Sequence, residues 1–428
     1  MKNIAFIYLI IQIAFIQFTF GQTKPIILFG GTAHLGNGKV INNAAIGIEN
    51  GKISFVMDAA TIRLNPNEAE IIDITGKHVY PGFIAVNNTI GITEIEAVRA
   101  TNDWNETGSY TPHVRTLIAF NPESKIIPTV RSNGILLAQS TPRGGVISGT
   151  SSIFCLEGWN WEDAVYKSDD AIHIQFPNWF NRSGWWAETG ITEKNKDYEV
   201  QLKELKKFLM EAKAYNSVSN HPEKNLKFEA LKGVFNGSQA VFINANYSKE
   251  ILDVIQLKKE LGISRVIIAG GLDAEAVLQA LQNSGIPLVL NRLHELPNKT
   301  DAPIDQYFSL PKILKDAQIP FCLSYVGGME AMGVRNLPFV AGSSVAYGLS
   351  KEEALGSITL QAAKILGIDS STGSLESGKD ATLFISTGDA LDMTGNHLER
   401  AWIKGKEINL SNSQIELYEK YSKKLEIR

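Results

Sequence analysis

Cysteine and histidine are scarce in this chain, which holds two of the first and seven of the second in 428 residues. Two thiols, Cys155 and Cys322, exclude a disulfide framework. Both stand in apolar stretches that read as buried strands, and whether they pair is left open. The histidines (His34, His78, His113, His173, His221, His294 and His397) never fall within five residues of one another, so no local two-histidine metal motif is present. An excess of one charge is missing too. With 41 basic against 45 acidic residues, interspersed to a net charge of −4, there is no basic footprint for nucleic acid and no membrane-surface helix. Gly144-Gly145 and Gly327-Gly328 are followed by no Gly-Lys-Ser/Thr, which makes them tight turns and not phosphate loops.

At the amino end Lys2 precedes an apolar run from Ile4 to Phe20, with small residues at Thr19 and Gly21 before Gln22. Charged start, apolar middle and small-residue end are the layout of a secretory signal peptide over residues 1–21. The run is at the short end for a span of about 20 residues. The expectation is an exported protein, periplasmic or extracellular, without stable membrane insertion after cleavage. A hydrophobic fraction of 44% with 20% charged residues suits one large core and one smaller one.

Between Ile26 and Asp73, short β-branched runs are punctuated by Gly30-Gly31, Gly36-Asn37-Gly38 and Asn50-Gly51, and Asn-Gly between two such runs is a strong hairpin signal. The same strand-turn-strand pattern returns between Gly373 and Lys406. In between, strands alternate with helices. Ile135–Gln139, Ala171–Phe176, Ala240–Ile243, Arg265–Ala269, Pro287–Leu290 and Pro320–Leu323 read as strands, and Val200–Tyr215, Ser248–Leu261, Asp273–Asn283 and Leu310–Ala317 as helices. That alternation implies crossover connections and a parallel sheet. Leu337–Leu349 and Lys351–Leu366 read as two further helices and Ile415–Leu425 as an amphipathic terminal one. Gly144 to Gly190 reads as irregular; its Trp159, Trp161, Trp179, Trp185 and Trp186 read as a cover for the barrel.

The stretch that joins the two patterns is Gly76-Lys77-His78-Val79-Tyr80-Pro81-Gly82-Phe83-Ile84-Ala85-Val86-Asn87-Asn88-Thr89. Gly-Lys-x-Val-x-Pro-Gly-Phe-Ile before a three-residue polar signature resembles the amidohydrolase superfamily, closest to its imidazolonepropionase-like branch. Gly373-Ser-Leu-Glu-Ser-Gly-Lys-Asp-Ala381 is similar to the family's closing segment. The resemblance implies an α/β fold: a (β/α)8 TIM-like barrel over 81–365, a composite β-sandwich built from both ends (25–80 and 366–408), and a terminal helix over 409–428. Gly82 joins the two, and Gly82→Val is expected to harm folding more than alanine at Asn87, Thr89 or Asn244.

Members of the superfamily hold zinc or iron between a His-x-His pair after the first barrel strand, histidines after the fifth and sixth, and an aspartate after the eighth. Carried over, those ligand positions fall on Asn87 and Thr89, on Asn244, and on Ala269, while Phe321-Cys-Leu-Ser-Tyr325 supplies no aspartate. Amides and hydroxyls bind zinc weakly beside imidazole, so no metal cofactor is expected. The expected ligand pocket is Asn87, Thr89, Asn244, Asn246, Tyr325 and Arg335, the last matching a barrel-mouth segment of the family. Glu94 and His294 are the nominated general bases.

Three functions follow from the resemblance. The first is an exported protein of hydrolase descent that has lost its metal centre and binds a small polar molecule, or associates with a second copy or a related active subunit. The second is a working hydrolase of non-peptide C–N bonds, such as cyclic amides, with an atypical metal site. The third is an interaction protein using its outer surface.

Overall fold

The computed structural model describes residues 24–184, 190, 192–218, 220–297 and 302–425. The expected signal segment, Trp185 and Trp186 lie outside these. No described helix is long and apolar enough to cross a membrane.

Five strands come first: β1 (Ile26–His34), β2 (Val40–Glu49), β3 (Lys52–Asp58), β4 (Glu70–Asp73) and β5 (His78–Pro81). Asn50 and Gly51 link β2 to β3 with φ of 50° and 80°, the left-handed pair that a tight hairpin demands. β1 runs antiparallel to β2; its other edge pairs first with β4 and then, past Gly30-Gly31, with β5. At Gly30 φ is 91°, and a Cβ would meet Thr75 Oγ1 at 2.7 Å, so glycine is what lets the strand change partners.

From Gly82 the chain enters the barrel through β6 (Phe83–Asn88), α1 (Ile126–Arg131), β7 (Ile135–Ser140), β8 (Ile147–Cys155) and β9 (Val165–Gln175). A small hairpin, β10 (Phe180–Arg182) with β11 (Thr192–Lys194), leads to α2 (Tyr198–Asn216). Regular alternation follows with β12 (Ala240–Ala245), α3 (Ser248–Leu261), β13 (Val266–Gly270), α4 (Leu278–Ser284), β14 (Leu288–Leu290), α5 (Gln306–Asp316) and β15 (Phe321–Leu323). The eight barrel strands lie in the order β6-β7-β8-β9-β12-β13-β14-β15. Ser324 Oγ, just past β15, donates to the Val86 carbonyl of β6, bringing the first and last strands together in a nearly closed barrel. β12 to β15 are apolar and almost wholly buried, as strands covered on both faces must be.

Three expectations are corrected. The region Gly144 to Gly190 is not irregular throughout, since it contains the whole of β8 and β9. The sheet is also not parallel throughout, because β8 runs antiparallel to both its neighbours. The chain turns back at Gly144 and Gly145, with φ of 81° and 61°, before a crossover helix can form. The expected helix Lys351–Leu366 is likewise two, α7 (Lys351–Ser357) and α8 (Leu360–Leu366), after α6 (Leu337–Ala346). The break frees the Ile358 carbonyl to accept Ile84 N–H at 2.9 Å, which ties this segment to the first barrel strand.

The far end of the chain then returns to the first sheet as β16 (Leu383–Ser386), β17 (Leu398–Ile403) and β18 (Lys406–Ile408), with β16 antiparallel to β5. Both chain ends thus share one sheet. It curls back on itself, where Ala381 N–H, just before β16, donates to the carbonyl of Gly51 in the β2–β3 turn at 2.9 Å, and it encloses Leu28, Ile46, Ile53, Val79, Leu383 and Trp402. The terminal α9 (Ser413–Leu425) buries none of its residues. Cys155 and Cys322 are both free and buried, on β8 and β15; burial pushes the Cys155 thiol up to about 11 and raises that of Cys322 as well.

Gly82 N–H donates to the Thr382 carbonyl at 2.9 Å, and a Cβ there would lie 2.9 Å from two carbons of Leu136 and 3.0 Å from Thr382 Cγ2. The requirement is close approach of sheet and barrel, not an unusual dihedral. Gly82→Val is expected to cost about 1–3 kcal/mol through overpacking, read as a lowered denaturation midpoint. A stability equal to wild type would show that the junction has slack.

Candidate active site

The carboxyl ends of the parallel strands form the face on which barrels of this kind carry chemistry. At the end of β6, Asn87 is fully buried with φ of 55°, a left-handed conformation that asparagine tolerates better than most residues. Its N–H donates to Gln139 Oε1 at 3.0 Å, and its Oδ1 and carbonyl accept from Arg143 at 2.9 and 2.8 Å. Arg143 also donates to Glu330 Oε1 at 2.7 Å, from a short helix Glu330–Gly333. Burial raises the Glu330 carboxyl, with the Arg143 guanidinium opposing that rise.

Arg143 reaches this position because β7 turns directly into β8. Its N–H donates to the Trp104 carbonyl at 2.6 Å, and a Cβ on Gly144 would meet Asn105 Oδ1 at 2.1 Å. The turn is therefore clamped against the loop that follows β6. Beneath the guanidinium lies a second polar layer. Gln139 Nε2 donates to Asp170 Oδ2 at 2.7 Å and Ser151 Oγ to Asp170 Oδ1 at 2.7 Å, while His173 Nε2 is 2.9 Å from Ser151 Oγ. All four residues are buried. Desolvation raises the Asp170 carboxyl and, aided by Arg143, holds the His173 imidazole well below its ordinary value.

These residue types invite comparison with a Ser-His-Asp triad, and the connectivity rules it out. In a triad histidine bridges serine and aspartate. Here serine bridges the other two, and Ser151 has no exposed surface. Because the Ser151 hydroxyl is committed to Asp170, His173 Nε2 carries the hydrogen, and Nδ1 is left buried without a partner. The arrangement is a structural polar core.

The expected site residues are only partly assembled. Thr89 is buried beyond Asn87. Asn244 donates weakly to the Ile174 carbonyl at 3.5 Å, and its cross-strand neighbours are Gln175 and Ala269. Asn246 N–H donates to Glu250 Oε2 at 2.7 Å, while its Oδ1 is buried without a partner. Tyr325 faces the Arg292 guanidinium, 5.5 Å from its ring centre. Three nominated residues lie apart from the Asn87 cluster. Arg335 lines a separate cleft with Thr129, Asn133 and Gln414. Glu94 accepts from Asn121 Nδ2 and Lys125 N–H, which makes it an anchor for the start of α1. His294 is exposed, bonded to Ser343 Oγ at 2.9 Å and stacked on Phe308, so it belongs to the outer helices.

The tryptophans cover the barrel only in part. Trp161 packs on the core, Trp159 is exposed, and Trp179 packs edge-on to Tyr198 beneath the Lys194 ammonium. Sequence reasoning missed Gln139, Arg143, Ser151, Asp170 and Glu330. The signal for Arg143 was present, since it follows a strand end, the criterion that selected Asn87. Asp170 was marked only by its acidity beside the apolar run Ala171–Phe176.

At the positions where the resemblance puts metal ligands, the side chains are two carboxamides, a hydroxyl and the methyl of Ala269, and the Asn87 Oδ1 is already bonded to a cation. Among the described residues no three His, Cys, Asp or Glu side chains converge as a metal requires.

Two outcomes test this site. Arg143→Ala strands Glu330 without its cation and should cost about 3–5 kcal/mol, whereas Arg143→Met with Glu330→Gln should cost less than the single change; equal losses would deny their coupling. Asn87→Ala, which gives up the Oδ1 bond from Arg143 and puts alanine in a left-handed backbone, should cost on the order of 2 kcal/mol, more than Thr89→Ala or Asn244→Ala. His173 titrates lower folded than unfolded, so the unfolded chain binds the extra proton and stability falls as pH drops below about 6.5. In chemical denaturation between pH 7.5 and 5, wild type should lose stability relative to His173→Gln. Parallel pH profiles would show that His173 does not drive the fall.

The sequence profile of the amidohydrolase family matches residues 188–408, more than half of the chain. No curated protein matches. Among solved structures, an amidohydrolase from Thermotoga maritima MSB8 superposes with a TM-score of 0.77 at 23% identity, covering 90% of this chain and 99% of that one. A putative prolidase from Bifidobacterium longum gives 0.55 at 16% identity over 94% and 100% of the two chains. A. niger ochratoxinase gives 0.53 at 15% identity over 90% and 96%. These likenesses concern the fold, and with the profile match they lead to one conclusion: the chain belongs to the amidohydrolase family.

Proposed function

We propose that this protein is an exported, non-hydrolytic member of the amidohydrolase family that binds a small polar molecule, its metal centre having been replaced by a hydrogen-bonded ion pair. The observation that carries the reading is the Arg143 guanidinium, which donates to Asn87 Oδ1, the Asn87 carbonyl and Glu330 Oε1. A divalent cation beside Asn87 would have to displace a fixed positive charge. It would gain neutral oxygens of low affinity in place of imidazoles. The residues at these positions do not fit the group. The alternative of hydrolysis without metal needs an accessible base. His173, the imidazole within the polar core, has no exposed surface, and Glu94 and His294 are occupied elsewhere. Export rests on the layout of residues 1–21.

Protein purified without chelator is expected to carry zinc, iron or manganese far below one equivalent per chain by elemental analysis. Cyclic amides and dipeptides should show no turnover above background, with or without added metal. The pair Asn87→His with Thr89→His should not gain stoichiometric metal, because the positions on the fifth, sixth and eighth strands still lack ligands. Turnover that disappears on chelation and returns with metal would overturn the proposal.

A further inference from the structure

The carboxyl end of β9 opens into a cavity of about 370 Å³ lined by Tyr110, Gln175, Asn178, Asn181, Gln201 and Glu204, among others. We infer that this cavity binds a neutral saccharide unit, of one or two sugar rings. The inference rests on the ligand-binding half of the proposed function and is independent of the metal half.

The polar groups at this site are free, and the backbone that carries them is tied together. Among the described residues, the carboxamides of Asn178 and Asn181, the Glu204 carboxylate and the Tyr110 hydroxyl make no hydrogen bond. Gln201 uses only its Oε1, which accepts from Asn195 at 3.1 Å, and Gln175 only its Nε2, which donates to Ser148 Oγ at 3.4 Å. Asn195 makes the frame, since its Nδ2 also donates to the Asn178 carbonyl at 2.8 Å while its Oδ1 accepts from Asp197 N–H. It thereby fixes the loop after β9 against α2. Gln201 and Glu204 are three residues apart on α2 and so share a face. Tyr110 is held by stacking on Phe208, with ring centres 4.5 Å apart.

Carboxamides are the side chains that both donate and accept at one planar end, and vicinal sugar hydroxyls require that at every position. Tyr110 keeps its proton, since burial and Glu204 both raise its pKa, and so adds a donor. The buried Phe176 and Pro177 close the apolar floor of the same cavity. The one charge named here, on Glu204, is negative and disfavours phosphorylated or carboxylated ligands. A volume near 370 Å³ lies at the small end of ordinary ligand sites, which limits the occupant to a short saccharide.

The test is calorimetric titration of the full chain with cellobiose, maltose and N,N′-diacetylchitobiose, each to about 10 mM. At least one is expected to bind, and glucuronic acid more weakly than glucose. Asn178→Ala with Asn181→Ala should weaken that binding at least tenfold at unchanged melting temperature, and Tyr110→Phe should weaken it without altering the fold. Absence of binding by all three disaccharides overturns the inference, as does binding that neither variant changes. Neither result bears on metal content, so failure here is separable from failure of the non-hydrolytic reading.

Discussion

One half-buried cation organises the upper part of this barrel. The Arg143 guanidinium faces the end of β6 on one side and Glu330 on the other. A charge removed from water is tolerated only when its donors are met. Arg143 meets that condition with three acceptors, one of them a carboxylate that is itself buried. Asn87 is held in a left-handed conformation by the same contacts, so a backbone that would otherwise be strained becomes part of the support. Below it Gln139 continues the chain of bonds, taking Asn87 N–H on its oxygen and passing its amide hydrogen to Asp170.

The reversal of β8 makes this arrangement possible. With a crossover helix after β7, the residues beyond Ser140 would leave the barrel for its outer layer. A direct turn keeps Thr141 to Val146 at the carboxyl face and aims Arg143 inward. β8 then contributes Ser151 to the polar core, its register with β9 placing Ser151 opposite Ala171. A fold usually described by uniform alternation therefore owes its interior here to a strand at which alternation fails. The hydrogen-bonded core and the open amide-lined cavity lie on successive parts of the same strand, β9, with His173 turned in and Gln175 at the rim.

What the sequence determined by itself was the repeating part. Apolar runs such as Val266–Gly270 call for burial on both faces, and the helical spacing in Ser248–Leu261 calls for one face against the core, so alternation follows from local pattern, while closure into a barrel was implied by the resemblance. The Asn50-Gly51 hairpin was legible because backbone stereochemistry leaves few alternatives there, and the junction at Gly76 to Phe83 because its residues resemble the family's. Tertiary structure alone decided the site. Arg143 and Glu330 are 187 residues apart, and nothing in the surroundings of either announces the other. Polar residues along a strand carry no mark of whether they face water or each other. Glu94, His294 and Arg335 were plausible by position and turn elsewhere, because a side chain's partner is set by which elements pack beside it. That is a property of long-range contacts, and a one-dimensional pattern of polarity does not encode it.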